Sequence, residues 1–169
     1  MNMKEIQVQP NQVYVSEPLT GQPDVEAIKA FCRRVAFVCK RHGLSPYLPF
    51  DATDPIKDAE VTPQEVARAD ITQTVGSKLC IFVLPSSPPE SIGVGIEMGL
   101  ADDRAIPSIV VRQKGKNWDP IVEGMIESNV EKGIWRAIEM LNFEDSTVLD
   151  NLELEIQEML NSGKLEIEQ

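Results

Sequence analysis

Short apolar runs with the composition of strands alternate along the chain with segments whose apolar residues recur at helical spacing. Strands are predicted at Gln12–Ser16, at Leu79–Leu84 and at residues 106–111. Residues 45–50 form a further extended segment, whose prolines place it near a sheet edge. Residues 51–60 are polar and are predicted to form a loop.

Two helices in the first half of the chain have recognisable boundaries. Asp24 is a suitable N-cap for a helix with an apolar face, and Gly43 ends that helix. Residues 62–65 (Thr-Pro-Gln-Glu) form a capping box with proline at the first helical position, and this helix runs to about Lys78.

The second half of the chain is predicted from weaker signals. A loop that carries Trp118 and Pro120 precedes a predicted helix over residues 130–141, and only residues 126–130 offer a fifth strand. A last helix has an apolar face over residues 148–160.

Alternation of strands and helices predicts an α/β fold. We expect a single-domain, flavodoxin-like (Rossmann-like) parallel sheet of four to five strands with helices on both faces. Residues 1–143 would form this domain, and residues 144–169 would form an acidic C-terminal helical extension.

The net charge of the chain limits which binding partners are expected. The 169 residues carry a formal net charge of −11, and the acidic residues are concentrated after residue 143, where Lys164 is the only basic residue. The sequence offers no basic stripe with interleaved aromatic residues, so a nucleic-acid polymer is not expected as a partner. A small anionic ligand remains compatible, since backbone amides at helix starts bind phosphate.

Further observations concern the environment of the protein. No run of 18 apolar residues predicts a membrane span, and the N-terminal residues lack an apolar signal core. Cys32, Cys39 and Cys80 are odd in number, lie in apolar segments and lack metal-ligand spacing. We therefore expect reduced thiols in a cytoplasmic protein, with no metal and no cofactor.

Glu97 is a single carboxylate within the otherwise non-polar run from Gly93 to Ala101. Glycines at 93, 95 and 99 would let another molecule approach the backbone closely. A helix start after the strand Leu79–Leu84 would place Glu97 where open α/β sheets bind ligands. The alternative is an ordinary glycine-rich helix start with Glu97 turned to solvent.

Asp70 and Tyr14 are further candidates. Asp70 follows Val66 by four residues, on or beside the face of its helix that packs against the sheet. A carboxylate there either opens into a cleft or is an exposed acid at the margin of the apolar face. Tyr14 lies in a predicted strand, where a tyrosine is commonly a core residue. Two carboxylates, Asp70 and Glu97, around one cleft suit glycosidic-bond chemistry.

Other catalytic classes find little support. His42 is the only histidine and lies at a helix end, which argues against Ser-His-Asp chemistry. The P-loop and the G-x-G-x-x-G signature are both absent. Ser91 is either a turn former and helix cap or a ligand for a phosphate or hydroxyl.

The chain resembles the nucleoside 2-deoxyribosyltransferase family and the related deoxynucleoside 5′-monophosphate N-glycosidases over roughly residues 12–142. The resemblance rests on Tyr14, on Asp70 and above all on the segment from Ser91 to Ala101. It implies that Glu97 is the nucleophile, that Asp70 assists departure of the base, and that Tyr14 orients Glu97.

The same resemblance indicates residues that contact the substrate and a site that is formed by two subunits together. Ser91, Gly93 and Gly95 would cradle a 5′-phosphate, and Ser16 would also bind the substrate. In the family a neighbouring subunit completes each site, and Glu123 is the nearest polar candidate for that role. The implied partners are a small deoxynucleoside or deoxynucleotide and further copies of the chain, in a homodimer or larger homo-oligomer.

The chain also departs from the family. The first loop, residues 17–21, lacks the serine and arginine of the monophosphate branch, and Glu17 would repel a phosphate, which favours the free deoxynucleoside. The second acid of the family is replaced by Ser77-Lys78. The expected activity is therefore N-glycosidic bond cleavage or transfer, with two alternatives: a nucleotide-binding sensor or assembly module without turnover, and an NAD-cleaving effector.

Overall fold

The computed structural model describes residues 7–19, 21–52, 62–85 and 92–168. Ser91 and most of the predicted polar loop at 51–60 lie outside these residues. The described part of the chain forms one five-stranded parallel sheet with the strand order β2-β1-β3-β4-β5. The predicted α/β fold with a flavodoxin-like sheet is confirmed.

The elements follow each other in regular alternation. The strands are β1 (Gln12–Ser16), β2 (Ser45–Tyr47), β3 (Leu79–Leu84), β4 (Ser108–Gln113) and β5 (Trp135–Met140). The helices are α1 (Val25–Arg41), α2 (Pro49–Ala52), α3 (Pro63–Gly76), α4 (Ile92–Asp103), α5 (Pro120–Glu131) and α6 (Ser146–Asn161). As its prolines predicted, β2 is an edge strand, although residues 49–52 turn into the short α2.

Alternate residues of the strands divide the core into two layers. Val13 and Val15 of β1 belong to the layer between the sheet and helices α1 and α6. Tyr14, between them, belongs to the opposite layer, against α4 and α5. Helix α3 lies on this second face, since the Thr74 carbonyl is 4.0 Å from the Cys80 sulfur.

Helix starts agree with the capping signals in the sequence. The Asp24 side chain accepts a hydrogen bond from the Ala27 amide at the start of α1. At α3 the capping box is complete: Thr62 accepts from the Glu65 amide, and Glu65 accepts from the Thr62 amide. These local contacts fix where the helices leave the sheet edge.

The assignments between residues 120 and 141 were wrong. Residues 126–130, the candidate strand, lie in α5, because Asp119 caps a helix that begins with Pro120. Residues 130–141, the predicted helix, are mostly β5. Gly133, with a φ of 72°, marks the end of α5 in a left-handed conformation. Beyond it, exposed and buried residues alternate from Ala137 to Met140, which is the two-residue period of a strand and not the period of a helix.

The apolar face of α6 does not need a partner surface. Val148, Leu152, Ile156 and Met159 are fully buried and join the α1 layer of the core. The helix of the proposed C-terminal extension thus packs on its own chain, with its acidic residues outward. Across the described residues, no helix combines the length and apolarity needed to cross a bilayer.

The direction of strand addition reverses beside β1. The chain first adds β2 on one side of β1 and then adds β3, β4 and β5 on the other. The helix after β1 packs on one face of the sheet and the helix after β3 packs on the other. The carboxyl ends of β1 and β3 therefore open a crevice, which is where open α/β sheets bind ligands.

Candidate active site

Glu97 is held at this crevice by two hydroxyl groups from one strand. The Tyr14 hydroxyl donates a hydrogen bond of 2.7 Å to Oε1 of Glu97, and the Ser16 hydroxyl donates to Oε2. Tyr14 and Ser16 are two residues apart, so both face α4 from β1. Glu97 is 9% exposed and is not turned to solvent.

Opposing influences set the charge of Glu97. Burial raises the pKa of its carboxyl to about 7, and the negative charge of Asp70 adds to that rise. Hydrogen bonds from Ser16 and Tyr14 lower the same pKa, because they stabilise the ionised form. A substantial fraction of Glu97 is therefore ionised at neutral pH.

Tyr14 is fully buried and serves this site. Its ring stacks on Tyr47 of the edge strand, with 5.8 Å between the ring centroids. Burial, together with the charge of Glu97, raises the pKa of Tyr14 far above its ordinary value. The phenol thus stays protonated and remains a hydrogen-bond donor to Glu97.

Asp70 lies on α3, half-buried, on the same side of the sheet as Glu97. Its Oδ1 is buried and has no hydrogen-bond partner among the described residues. Burial raises its pKa to about 6. A buried oxygen without a partner is costly, and Asp70 acts electrostatically on both Glu97 and Tyr14, which places it at the same crevice.

The glycines of α4 leave its surface open. Gly93 is exposed, and Gly95 is partly exposed in the turn before Glu97. No described atom lies within 4 Å of the point where a Cβ of Gly95 would stand. A ligand can therefore contact the first turns of α4 closely.

Glu123 lies at the start of α5 and is bound within its own chain. It forms an ion pair of 2.8 Å with Arg112 and accepts a hydrogen bond of 3.0 Å from the Trp118 amide. Both contacts fasten the loop between β4 and α5. The structure does not bring Glu123 into contact with Glu97, and its role toward a neighbouring subunit stays a prediction.

A small apolar pocket of about 30 Å³ adjoins the crevice. It is lined by Pro18, Leu84, Val94, Gly95, Met98, Trp118 and Val122. The indole nitrogen of Trp118 is buried and has no hydrogen-bond partner among the described residues. The pocket is too small to hold an organic ring, and it shows that apolar side chains border the first turns of α4.

The sequence placed Glu17 in the first loop of the site but did not predict that its side chain is buried. It directly follows β1, is 9% exposed, and its Oε2 is buried without a hydrogen-bond partner in the described part of the chain. Burial raises its pKa well above the ordinary value, and the charges of Glu97 and Asp70 raise it further. Both influences favour the protonated form of Glu17, which would weaken the expected repulsion between this residue and a phosphate.

The crevice combines the ionisable carboxyl group of Glu97 with two further acids, Glu17 and Asp70. Within residues 7–19, 21–52, 62–85 and 92–168, no three His, Cys, Asp or Glu side chains are grouped so as to bind a metal ion. The arrangement suits attack by the Glu97 carboxylate on an electrophilic carbon, with neighbouring acids handling the proton of a leaving group.

Comparison with known proteins supports the fold. No protein-family model matches the sequence, and no curated protein sequence is similar to it. The structure resembles the CMP N-glycosidase BcmB of Clostridium botulinum at 15% identity and a TM-score of 0.60, over 85% of this chain and 98% of that one. It resembles a conserved protein of Enterococcus faecalis at 18% identity and a TM-score of 0.61, over 90% and 100%.

A 2-deoxyribosyltransferase from Bacillus psychrosaccharolyticus is similar at 12% identity and a TM-score of 0.55, over 79% of this chain and 88% of that one. At identities this low, the structural likeness shows a shared fold alone. The function has to be argued from the residues of the site.

Proposed function

We propose that the protein cleaves or transfers the N-glycosidic bond of a 2′-deoxynucleoside or its 5′-monophosphate. The observation that carries this proposal is the buried Glu97, whose two carboxyl oxygens accept hydrogen bonds from Tyr14 and Ser16. A nucleophile needs a fixed orientation and an ionised form, and the two hydroxyls provide both. Solved structures with this fold include an N-glycosidase and a 2-deoxyribosyltransferase, which supports the same class of bond.

In the first step, a Glu97 oxygen attacks C1′ of the deoxyribose. The C1′–O bond forms as the C1′–N bond breaks, and the electron pair of that bond leaves with the nucleobase, which takes up a proton. The negative charge of Asp70 supports the departure of the protonated base. The product on the protein is a deoxyribosyl ester of Glu97.

In the second step, water or another nucleobase attacks C1′ and releases Glu97. Water gives hydrolysis and a second base gives transfer. Two displacements at one carbon retain its configuration. Neither step requires a redox change.

The 5′ end of the substrate lies near the start of α4 in this proposal. Ser91, Gly93 and Gly95 would contact it, with backbone amides available for a phosphate. Since burial and the neighbouring negative charges favour the protonated form of Glu17, its repulsion of a 5′-phosphate is weakened, and the monophosphate and the free nucleoside are both substrates to test.

The proposed homo-oligomer rests on the family resemblance and on exposed apolar side chains. Ile92 and Ile96 of α4 are 80% and 52% exposed, and Ile121 of α5 is 75% exposed. A second copy of the chain would cover them. Light scattering at micromolar concentration tests this, and a mass of one chain would contradict the shared site.

Incubation with a panel of deoxynucleosides, their monophosphates and NAD, followed by chromatography of free bases, tests the proposed activity. We expect release of a nucleobase by the wild-type protein and none by Glu97→Gln. Binding of a nucleotide without any release of base would instead indicate the sensor or assembly module. Release of nicotinamide alone would indicate the NAD-cleaving alternative.

A further inference from the structure

Glu17 lies on the opposite wall of the crevice from Glu97. Val13 and Val15 of β1 face α1, and Glu17 continues this alternation. After burial, Glu17 is a main cause of the raised pKa of the Cys32 thiol on α1, which places its carboxyl on the α1 side. Glu97 meets β1 from the α4 side. A ligand at the carboxyl end of β1 would therefore lie between the two carboxyl groups.

The surroundings of Glu17 favour its protonated form. Its Oε2 is buried without a hydrogen-bond partner among the described residues, and an ionised carboxylate in that state is costly. The negative charges of Glu97 on α4, Asp70 on α3 and Asp51 on α2 oppose ionisation further. Lys29 on α1 acts in the opposite direction, and burial outweighs it.

Asp51 forms an ion pair of 3.1 Å with Arg33 on α1. This ion pair partly cancels the charges of both groups toward Glu17. Glu17 is thus a buried acid whose surroundings favour the protonated form, across the crevice from an ionisable nucleophile, which is the combination that a double displacement at a glycosidic bond uses.

Asp70 is less suited to hold the transferable proton. It is more exposed than Glu17, and its pKa of about 6 leaves it mostly ionised at neutral pH. An acid that donates a proton at neutral pH has to be protonated there. The two acids therefore suit different tasks, with a negative charge on Asp70 and a proton on Glu17.

Resting on the proposed function, we propose that Glu17 is the general acid that protonates the leaving nucleobase. In the first step the Glu17 O–H bond breaks and its proton joins a ring nitrogen or exocyclic oxygen of the base, as the C1′–N bond breaks and the Glu97–C1′ bond forms. Glu17 is then a carboxylate. In the second step it takes a proton from the attacking water or from the incoming base, which restores both acids to their starting forms.

The test compares Glu17→Gln with wild type on deoxynucleosides whose bases differ in leaving-group quality. Glutamine keeps the size of the side chain but cannot transfer a proton. We expect kcat/KM to fall about 100-fold or more for a poor leaving base and less than about tenfold for a good one. The alkaline fall of the pH profile, where wild-type Glu17 ionises, should disappear in this variant.

Asp51→Asn is the matched control. Like Glu97 and Asp70, Asp51 raises the pKa of Glu17 through its negative charge, but it has no assigned role in the reaction. Its kcat/KM should stay within about threefold of wild type. Circular dichroism and thermal melting establish that each variant is folded. Equal losses on good and poor leaving bases in folded Glu17→Gln, or no loss, would overturn the assignment.

If Glu17→Gln does not fold, Glu17→Asp decides the same point. Aspartate keeps a transferable proton, so the alkaline limb of the pH profile should remain, at a pH set by the pKa of the aspartic acid. An alkaline limb at the same pH as in wild type would overturn the proposal. The proposed function fails separately, when wild type releases no base. Activity that requires Glu97 but ignores Glu17 contradicts only the role of Glu17.

Discussion

The Tyr14 hydroxyl lies 2.7 Å from Oε1 of Glu97 and donates a hydrogen bond to it, across the interface between β1 and α4. Ser16, on the same face of β1, binds the other carboxyl oxygen. The two donors work against burial, which raises the pKa of Glu97 to about 7. The sheet thus fixes both the orientation and the charge of the proposed nucleophile.

Removing either hydroxyl should move the acidic limb of activity to higher pH. Tyr14→Phe and Ser16→Ala each take away a donor that lowers the pKa of Glu97, so ionisation of Glu97 would occur above about 7. A hydrogen bond to a charged group contributes about 1.5–3 kcal/mol, which corresponds to a shift of about one to two pH units. The pH dependence of kcat/KM measures the shift.

Ser108→Ala is the control for those variants, since Ser108 is a buried β4 serine whose hydroxyl binds the Ile106 carbonyl and does not contact Glu97. Its acidic limb should coincide with that of wild type. An unshifted limb in Tyr14→Phe and Ser16→Ala would show that the two hydroxyls do not tune the nucleophile.

Asp70→Asn should move the same limb in the opposite direction. The negative charge of Asp70 raises the pKa of Glu97, so its removal lowers that pKa and extends activity to lower pH. We also expect lower turnover at neutral pH, by about tenfold or more, because the charge that supports the leaving base is lost. A limb that moves upward, or stays in place, would indicate that the two carboxyls do not interact.

Much of this site was predictable from the sequence. Glu97 stood out because glycines and apolar residues surround it, and the capping box at Thr62 fixed the helix that carries Asp70. The hydrogen bond from Tyr14 followed from the family resemblance, since a strand tyrosine alone indicates only a core residue. These signals are local, and each is carried by a few adjacent residues.

The rest depended on contacts between distant segments. The Asp119-Pro120 start of α5 was missed because the loop before it has little apolar periodicity. The residues of the edge strand β5 were then assigned to a helix. The sequence placed Glu17 in the first loop as a charged residue that would repel a phosphate. Its raised pKa arises from burial and from the charges of Glu97 and Asp70, which sequence spacing does not reveal.

Stability should respond to Glu97 in a pH-dependent way. A carboxyl whose pKa is about 7 in the folded protein, against an ordinary value of 4.5, binds its proton more tightly when folded. The contribution of this tighter proton binding to the free energy of unfolding is fully present below pH 4.5 and is lost as the pH rises through 7. Glu97→Gln removes this loss, so the free energy of unfolding at pH 8 should exceed that of wild type by up to about 3 kcal/mol.

Urea unfolding at pH 5 and at pH 8 measures the effect on the two proteins. The difference between variant and wild type should be small at pH 5 and should grow toward pH 8. A difference that is the same at pH 5 and at pH 8 would show that burial does not destabilise the ionised form of Glu97.

Two glycines of α4 provide a matched pair for ligand approach. A Cβ at Gly95 or at Gly99 would have no described neighbour within 4 Å, so alanine fits at either position. Each variant should be as stable as wild type or up to about 1 kcal/mol more stable, because alanine favours a helix. Only Gly95, which lines the pocket beside Glu97, should affect the substrate.

We therefore expect Gly95→Ala to raise KM by about tenfold or more and Gly99→Ala to leave it unchanged, with both melting temperatures retained. Steady-state kinetics on the best substrate of the panel distinguishes them. Equal kinetics for the two variants would indicate that no ligand contacts the first turns of α4.

The central claim is that Glu97 forms a covalent bond with the sugar. A 2′-fluoro-arabinosyl nucleoside carries an electron-withdrawing fluorine at C2′, which slows both steps and allows a glycosyl-enzyme ester to accumulate. Intact-protein mass spectrometry, followed by peptide mapping, should show one added 2-deoxy-2-fluoroarabinosyl group on Glu97 in wild type and none in Glu97→Gln. An adduct on another residue, or release of base from natural substrates by folded Glu97→Gln at the wild-type rate, would contradict the account.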